Sequence, residues 1–438
     1  MKNTDIVTMK LMSVLSNPSM INKAQKAYET APLLRGGILK DLLYLGLWTL
    51  NTIIPKKNNQ ILFASIPDYS DNAKALYKYI IANHIHQQYD LIWLVNDPET
   101  LQLLTQRGVK AHLERSFHGL CSLFRSKYVI GTHNHYCGIK AKNQYLVNLW
   151  HGVPLKTLGY LKCLETEEAL KAIKKGGEAD DILIATSSVV RNALVTSFLI
   201  DPRKVVITGQ PRNDYLFVTS EEQRLAKLLN RDLSRYDKLI LYMPTFRVDH
   251  SRVEGTTRHL DFLRSELFNK FLKDNNILFV LKLHPFEEKY WLSQDGFNQC
   301  NGNIVILKTE HLTTNLSTIY EVLKDFDILI TDYSSIYFDF LLLNKPIIFL
   351  PLDFEQYTQT RGFSLEPYDF WAPGPKTTTI EELIDEIQKC ISDPAYYERE
   401  RNTINNLINH YQDGKSCERV WAQIQHRIGE IPCKQRSQ

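Results

Sequence analysis

Cysteine is scarce in this chain: seven in 438 residues, none in a CxxC pair or in the Cys/His spacing of a zinc site. That scarcity argues against a disulfide framework or a structural zinc and suits a reducing compartment. An excess of one charge is also lacking. Lys and Arg number 52 against 49 Asp and Glu, and the resulting +3 gives no reason to expect a nucleic acid partner. The start, MKNTDIVTMKLMSVLSNPSM, has no continuous apolar core of the kind a signal peptide needs. There is no internal repeat, no low-complexity tract, and no acidic DxD-type pair placed to hold a metal. What remains is the composition of an ordinary globular protein, in a chain longer than one core usually holds, so two domains are expected.

The most informative stretch is Phe326 to Pro346, FDILITDYSSIYFDFLLLNKP. A short apolar run with β-branched Ile328 and Ile330 reads as a strand, and Asp332-Tyr333-Ser334-Ser335 breaks it. Ile336 to Leu343 is apolar almost all round, as in a buried helix, and Asn344-Lys345-Pro346 stops it before a further strand, Ile347 to Leu350. This is a unit of a parallel α/β sheet. Ser334 or Ser335 would cap the helix, and free N–H groups there would suit phosphate oxygens. Asp332 would lie at the carboxyl end of the strand, where open α/β sheets bind ligands. An ordinary cap beside a solvated Asp fits the same letters.

Other strand ends carry polar residues. Candidate strands are Ile61 to Ser65, Tyr89 to Val95, Lys127 to Thr132, Tyr145 to Leu149 and Asp181 to Thr186, then Leu239 to Met243, Ile277 to Leu283 and Ile304 to Leu307, with helical stretches between. NLWHGVPLKTLG puts His151 at a strand end beside a Gly/Pro turn, with Lys156 five residues on. Such a histidine suits an exposed acid or base, and equally a structural histidine satisfied by backbone. KVVITGQPRNDYL, from Lys204, reads as the passage between domains. Its Arg212 and Asp214 either contact ligand or pair to fix the turn. LILYMPTFR places Thr245 and Arg247 past a strand, and LKLHPF places Lys282 and His284 past another. Arg361 and Gly362 sit in a turn-like context, and His250 to Arg258 reads as a polar loop.

Met1 to Asn59 carries eight Lys/Arg against three Asp/Glu. Within it, ILKDLLYLGLWTLNTII (Ile38 to Ile54) is shorter than a spanning helix and is followed by Lys56 and Lys57. The pattern fits a helix lying on anionic lipid and fits equally a helix packed on the first domain.

HGVPLKTLG, GQPRND, MPTFR, LKLHP, ITDYSSIYFDF, NKPIIFLPLD, RGF and HYQDG occur in one order, with DYSDNAKA (Asp68 to Ala75) before them. The ordered set resembles the CDP-glycerol glycerophosphotransferase family, the teichoic acid and capsule enzymes that move polyol phosphates from CDP-activated donors. The likeness runs from about Ile61 to Trp421. It implies an α/β fold of GT-B type: two Rossmann-like domains facing across a cleft, plus an N-terminal helical segment. The expected division is 1–59, a possibly membrane-associating segment; 60–203, the acceptor side; and 204–438, the donor side with the C-terminal helices.

The resemblance implies transfer of glycerol phosphate from CDP-glycerol to a hydroxyl of a lipid-linked or polymeric acceptor, with release of CMP. By resemblance His151 is the general base. His284 and Lys282 would stabilise pyrophosphate, with Arg247 and Arg361 as further cations and Ser334 and Ser335 on phosphate oxygens. Asp332 would orient a histidine, a ribose hydroxyl or the turn, and Thr245 would line the donor site. Lys156, Arg212 and Asp214 would support it. No metal and no cofactor beyond the donor is expected. The expected place is peripheral, at the cytoplasmic face of a bacterial membrane. A CDP-ribitol donor, a nucleotide-sugar transferase and a non-catalytic scaffold on the same fold are the competing readings.

Overall fold

The computed structural model describes residues 38–133, 136–162, 166–218, 223–246, 258–285, 287–288 and 302–429. Arg247 and nearly all of the polar loop after it lie outside these residues, as does the chain before residue 38.

Apolar runs bounded by turn residues become two all-parallel sheets. The first contains β1 (Lys57–Ala64), β2 (Asp90–Val95), β3 (Ala111–Leu113), β4 (Ser126–Gly131), β5 (Tyr145–Asn148), β6 (Ile182–Ala185) and β7 (Val205–Ile207), in the order β3-β2-β1-β4-β5-β6-β7. The second contains β8 (Lys238–Tyr242), β9 (Ile277–Leu281), β10 (Ile304–Ile306), β11 (Ile328–Thr331) and β12 (Ile347–Phe349), in the order β10-β9-β8-β11-β12. Strands with both faces covered by helices read as unbroken apolar runs, and Ile277–Leu281 and Ile328–Thr331 are buried at every position. Each order reverses at its first strand. This creates a switch point between β1 and β4 in one sheet and between β8 and β11 in the other, where carboxyl-end loops diverge and leave room for ligand.

The expected domain limits need three corrections. β7 pairs with β6, so the first domain extends through Ile207, beyond the expected end at 203. β1 begins at Lys57, inside the segment assigned to the N-terminal helix. The last helix, Ser416–Gly429, returns to the first domain: Cys417, Val420, Trp421 and Ile424 share its core with Ile61 and Trp93, and Trp421 meets Tyr89 edge-on at 5.4 Å. Asp214 makes this return possible by accepting from the N–H groups of Ser416 and Cys417, both at 2.8 Å. Gly209, at φ +79°, leaves room for it, since a Cβ there would stand 2.5 Å from Ser416 Oγ.

The helix Ile38–Ile53 lies against the first domain. Leu47, Leu50 and Ile54 pack on the cluster of Leu62, Leu123 and Phe124. Asn51 Nδ2 donates to Ile139 O at 2.6 Å and Gln144 Oε1 at 2.7 Å. Lys56 donates to Asn51 Oδ1 and to the Asn51 and Phe124 carbonyls, which ties the helix to the domain. Burial lowers its pKa to about 8. The opposite face leaves Leu42, Leu43, Leu45, Trp48 and Ile53 exposed. The expected packing on the first domain is therefore met by one face of the helix, and the other face is apolar and exposed. No described helix is long and apolar enough to cross a membrane.

Candidate active site

The loop after β5 carries His151. Trp150 takes φ +50° and Gly152 φ +155°, so the chain turns sharply on both sides of the histidine. His151 Nδ1 lies 3.0 Å from the carbonyl oxygen of Thr132, at the end of the neighbouring β4. A carbonyl only accepts, so in the neutral ring the proton sits on Nδ1 and the lone pair on Nε2. His133 stacks on the ring with centroids 4.1 Å apart and planes 12° apart, and Trp150 lies 4.2 Å away on a tilted plane. His133 is fixed in turn by Thr132 Oγ1, 2.9 Å from its Nδ1. Burial pulls the His151 pKa below its ordinary value, with Arg212 adding to that effect, while the Thr132 carbonyl and the Asp71 carboxylate oppose it. The result is a half-buried, neutral imidazole with its acceptor nitrogen defined.

Opposite this loop stand the carboxyl ends of the second sheet. Asp332, 1% exposed, accepts at Oδ1 from the N–H of Thr245 at 2.7 Å and of Tyr333. It therefore spans the β8/β11 switch point and fixes both loops, the turn-orienting role among those expected of it. Thr245 is buried, and Phe246 next to it stacks on His284 at 4.3 Å and 22°. His284 is exposed at the end of β9, and burial of part of its ring together with Lys282 lowers its pKa. Ser334 and Ser335 are half-buried. Ser335 occupies the cap position of the short helix Ile336–Phe340, but its hydroxyl makes no capping bond. It faces the first domain instead, so close to Gly152 that a Cβ there would stand 2.7 Å from Ser335 Oγ. The two halves of the candidate site thus meet at one seam.

Three expected residues are engaged elsewhere. Lys282 is buried and donates to Thr309 Oγ1 at 2.8 Å, Leu283 O at 2.9 Å and Glu288 Oε2 at 3.3 Å. Glu288 also accepts from the Thr309 N–H, so the Lys282 charge is neutralised inside the second domain and is not presented to a pyrophosphate. Arg212 and Asp214 do not pair with each other. Asp214 caps the last helix, and Arg212 is fully enclosed. Arg212 Nη1 donates to Asp71 at 2.9 Å and to His151 O at 3.0 Å, and its Nη2 donates to Asp339 at 2.8 Å. The guanidinium lies over Tyr320, 4.4 Å from the ring centre. Arg212 therefore joins the two domains and touches the histidine loop only through its backbone.

Lys156 and Arg361 belong to a second crossing of the seam. Lys156 pairs antiparallel with Phe363, Ser364 N donates to Leu155 O at 2.8 Å, and Thr157 Oγ1 donates to Arg361 O. The Lys156 ammonium stands 5.9 Å from the Tyr357 ring centre, and Arg361 is exposed. Among the described residues, no three His, Cys, Asp or Glu side chains converge to hold a metal ion. Thr132 and His133 were not singled out from sequence, although His133 follows β4 in the same strand-end position that drew attention to His151.

Known proteins are similar to this chain along most of its length. The teichoic acid poly(glycerol phosphate) polymerase of Bacillus subtilis (strain 168) is 28% identical over 373 residues, covering 81% of this chain and 46% of that protein. The teichoic acid ribitol-phosphate polymerase TarL of Staphylococcus aureus (strain NCTC 8325 / PS 47) is 27% identical over 395 residues, 83% of this chain and 62% of that one. The chain thus spans about half to three-fifths of the length of these two relatives. The structure of the wall teichoic acid polymerase TagF superposes with a TM-score of 0.74 at 21% identity, over 90% of this chain and 97% of that one, which supports the GT-B fold. A family model described as CDP-glycerol:poly(glycerophosphate) glycerophosphotransferase matches residues 47–426, and the chain belongs to that family.

Proposed function

We propose that the chain transfers glycerol phosphate from CDP-glycerol to a hydroxyl of a lipid-linked or polymeric polyol-phosphate acceptor. The acceptor oxygen attacks the glycerol-bearing phosphorus. The bond from that phosphorus to the CMP oxygen breaks, and CMP leaves with its electron pair. The observation that carries this reading is the Nδ1 contact of His151 with the Thr132 carbonyl, which leaves Nε2 to take the acceptor proton at the seam. Family membership supports the substrate class.

In this reading His284, Ser334, Ser335 and Arg361, with Arg247 beyond the described residues, meet the phosphate charge, and no metal is required. Asp332 keeps their loops in place. The exposed apolar face of the helix Ile38–Ile53 rests on a membrane surface, where a lipid-linked acceptor would be found. The similarity to TarL favours CDP-ribitol as the second donor to consider. The experiment is CMP release by the purified chain from each donor, with acceptors proven on a known enzyme. Release from CDP-glycerol alone is expected. Release from CDP-ribitol alone would reassign the donor, and release from neither would end the reading.

A further inference from the structure

We propose that Asn72 is a positioning residue for His151, which rests on the reading of His151 as the base. Asn72 lies in the first turn of the helix Asp71–Ala82 and is 0% exposed. Its Nδ2 donates to Leu149 O at 3.0 Å and Trp150 O at 2.9 Å, with Gln210 Oε1 at 3.2 Å sharing the same two hydrogens. Its Oδ1 accepts from the N–H of Arg212 at 3.0 Å, and Arg212 Nη1 reaches the next carbonyl, that of His151, at 3.0 Å. Three consecutive carbonyls, from Leu149 to His151, are therefore gripped from one side by two buried residues that lie far from them in the chain.

The grip matters because the segment is strained. Trp150 is a bulky residue at φ +50°, in the left-handed region where side chains crowd the backbone. Such a conformation persists only when its surroundings over-determine it. Trp150 N also donates to Asn148 Oδ1 at 3.0 Å, so the residue is held at its own N–H and carbonyl as well. If the carbonyl contacts are released, Trp150 relaxes toward negative φ. That swings His151 off the Thr132 carbonyl and Gly152 away from Ser335.

The side chain required is narrowly defined: two N–H donors and one acceptor on a short stem. Only Asn supplies these. Asp lacks the donors, Ser has one, and Gln is a methylene too long. The side-chain hydrogen bonds of Asn72 go to Leu149, Trp150, Gln210 and Arg212, and none goes to the His151 ring or to a group named as meeting the donor phosphates. Its effect on turnover must therefore pass through the backbone.

The test uses the full chain and compares wild type, Asn72→Asp, Asn72→Ser and His151→Asn. CMP release gives kcat and the donor KM, thermal unfolding gives the midpoint, and ¹⁵N-histidine NMR reports the His151 tautomer. For Asn72→Asp the expected result is a kcat at least tenfold lower, a donor KM within threefold of wild type, and loss of the Nδ1–H signature of His151. Asn72→Ser, which adds no buried charge, carries the same test if Asn72→Asp does not fold. A fully active, folded Asn72 variant beside an inactive His151→Asn would overturn the positioning role alone. So would an equal change in kcat and KM, or an unaltered His151 spectrum. Wild-type turnover by His151→Asn would instead remove the base itself and leave nothing to position.

Discussion

Gly152 of the first domain lies directly against the Ser335 hydroxyl of the second, with no space for a methyl group between them. A Cβ at Gly152 would stand 2.7 Å from Ser335 Oγ and 3.7 Å from an Arg212 nitrogen, on a backbone at φ +155°. The histidine loop and the serine turn can approach this closely only because the position is glycine. Gly152→Ala should therefore push the two loops apart. The expected cost is about 1–3 kcal/mol of stability, typical of overpacking, and a drop in kcat of at least tenfold. Gly152→Ala/Ser335→Gly, which removes the clash but not the backbone strain, should recover part of the stability measured by denaturant unfolding.

The pH dependence follows from the burial of His151. Its pKa is below the ordinary imidazole value, and the groups facing it are His133, Asp71 and Arg212. A base must be neutral, so turnover should hold as pH falls through the ordinary imidazole value and decline only at lower pH. The same shift works on stability. The unfolded chain takes up a proton near the ordinary value while the native ring does not, so this contribution is present above that value. It is lost as pH falls from there through the lower native pKa. A kcat/KM profile, which reports the free enzyme, whose acid limb sits above the ordinary imidazole pKa would contradict the assignment.

Lys282 should behave as a structural residue. It and Glu288 form a buried pair that also holds the Thr309 N–H. Removing one partner strands the other charge, so Lys282→Met is expected to cost about 3–5 kcal/mol of stability. Lys282→Met/Glu288→Leu should restore much of that and keep a near-normal donor KM. A large rise in KM in the folded double variant would return Lys282 to the donor site.

The two-sheet fold was legible because buried parallel strands are short apolar runs ended by turn residues. Ile277–Leu281 and Ile328–Thr331 were visible on that ground alone. Ala111–Leu113 was missed: it is a three-residue edge strand, only half-buried, with little apolar signal. The return of Ser416–Gly429 to the first domain was not legible either, because an amphipathic helix does not say which core its apolar face will meet. In the site, strand-end position pointed correctly to the seam for His151 and Ser335. It gave no sign that Lys282 is held by Glu288, six residues on, or that Asp71 and Asp339, far off in the chain, come against Arg212.

The exposed side of the helix Ile38–Ile53 gives a separate test. Leu42, Leu43 and Leu45 are each more than half exposed, with Trp48 beside them. Replacing Leu42, Leu43 and Trp48 with Ser should sharply reduce cosedimentation with anionic phospholipid vesicles. CMP release with a water-soluble acceptor should be preserved, since Leu47, Leu50 and Asn51 keep the helix docked. Undiminished cosedimentation would exclude this face as the membrane contact.

The central claim is that His151 takes the acceptor proton, and single-turnover CMP release by His151→Ala, beside donor binding measured by calorimetry, tests it most directly. The account predicts that CDP-glycerol binds His151→Ala within about threefold of wild type while CMP release falls at least a hundredfold, in the range that loss of a general base produces. Release at the wild-type rate, or a loss of donor binding large enough to explain the slower release, would contradict it.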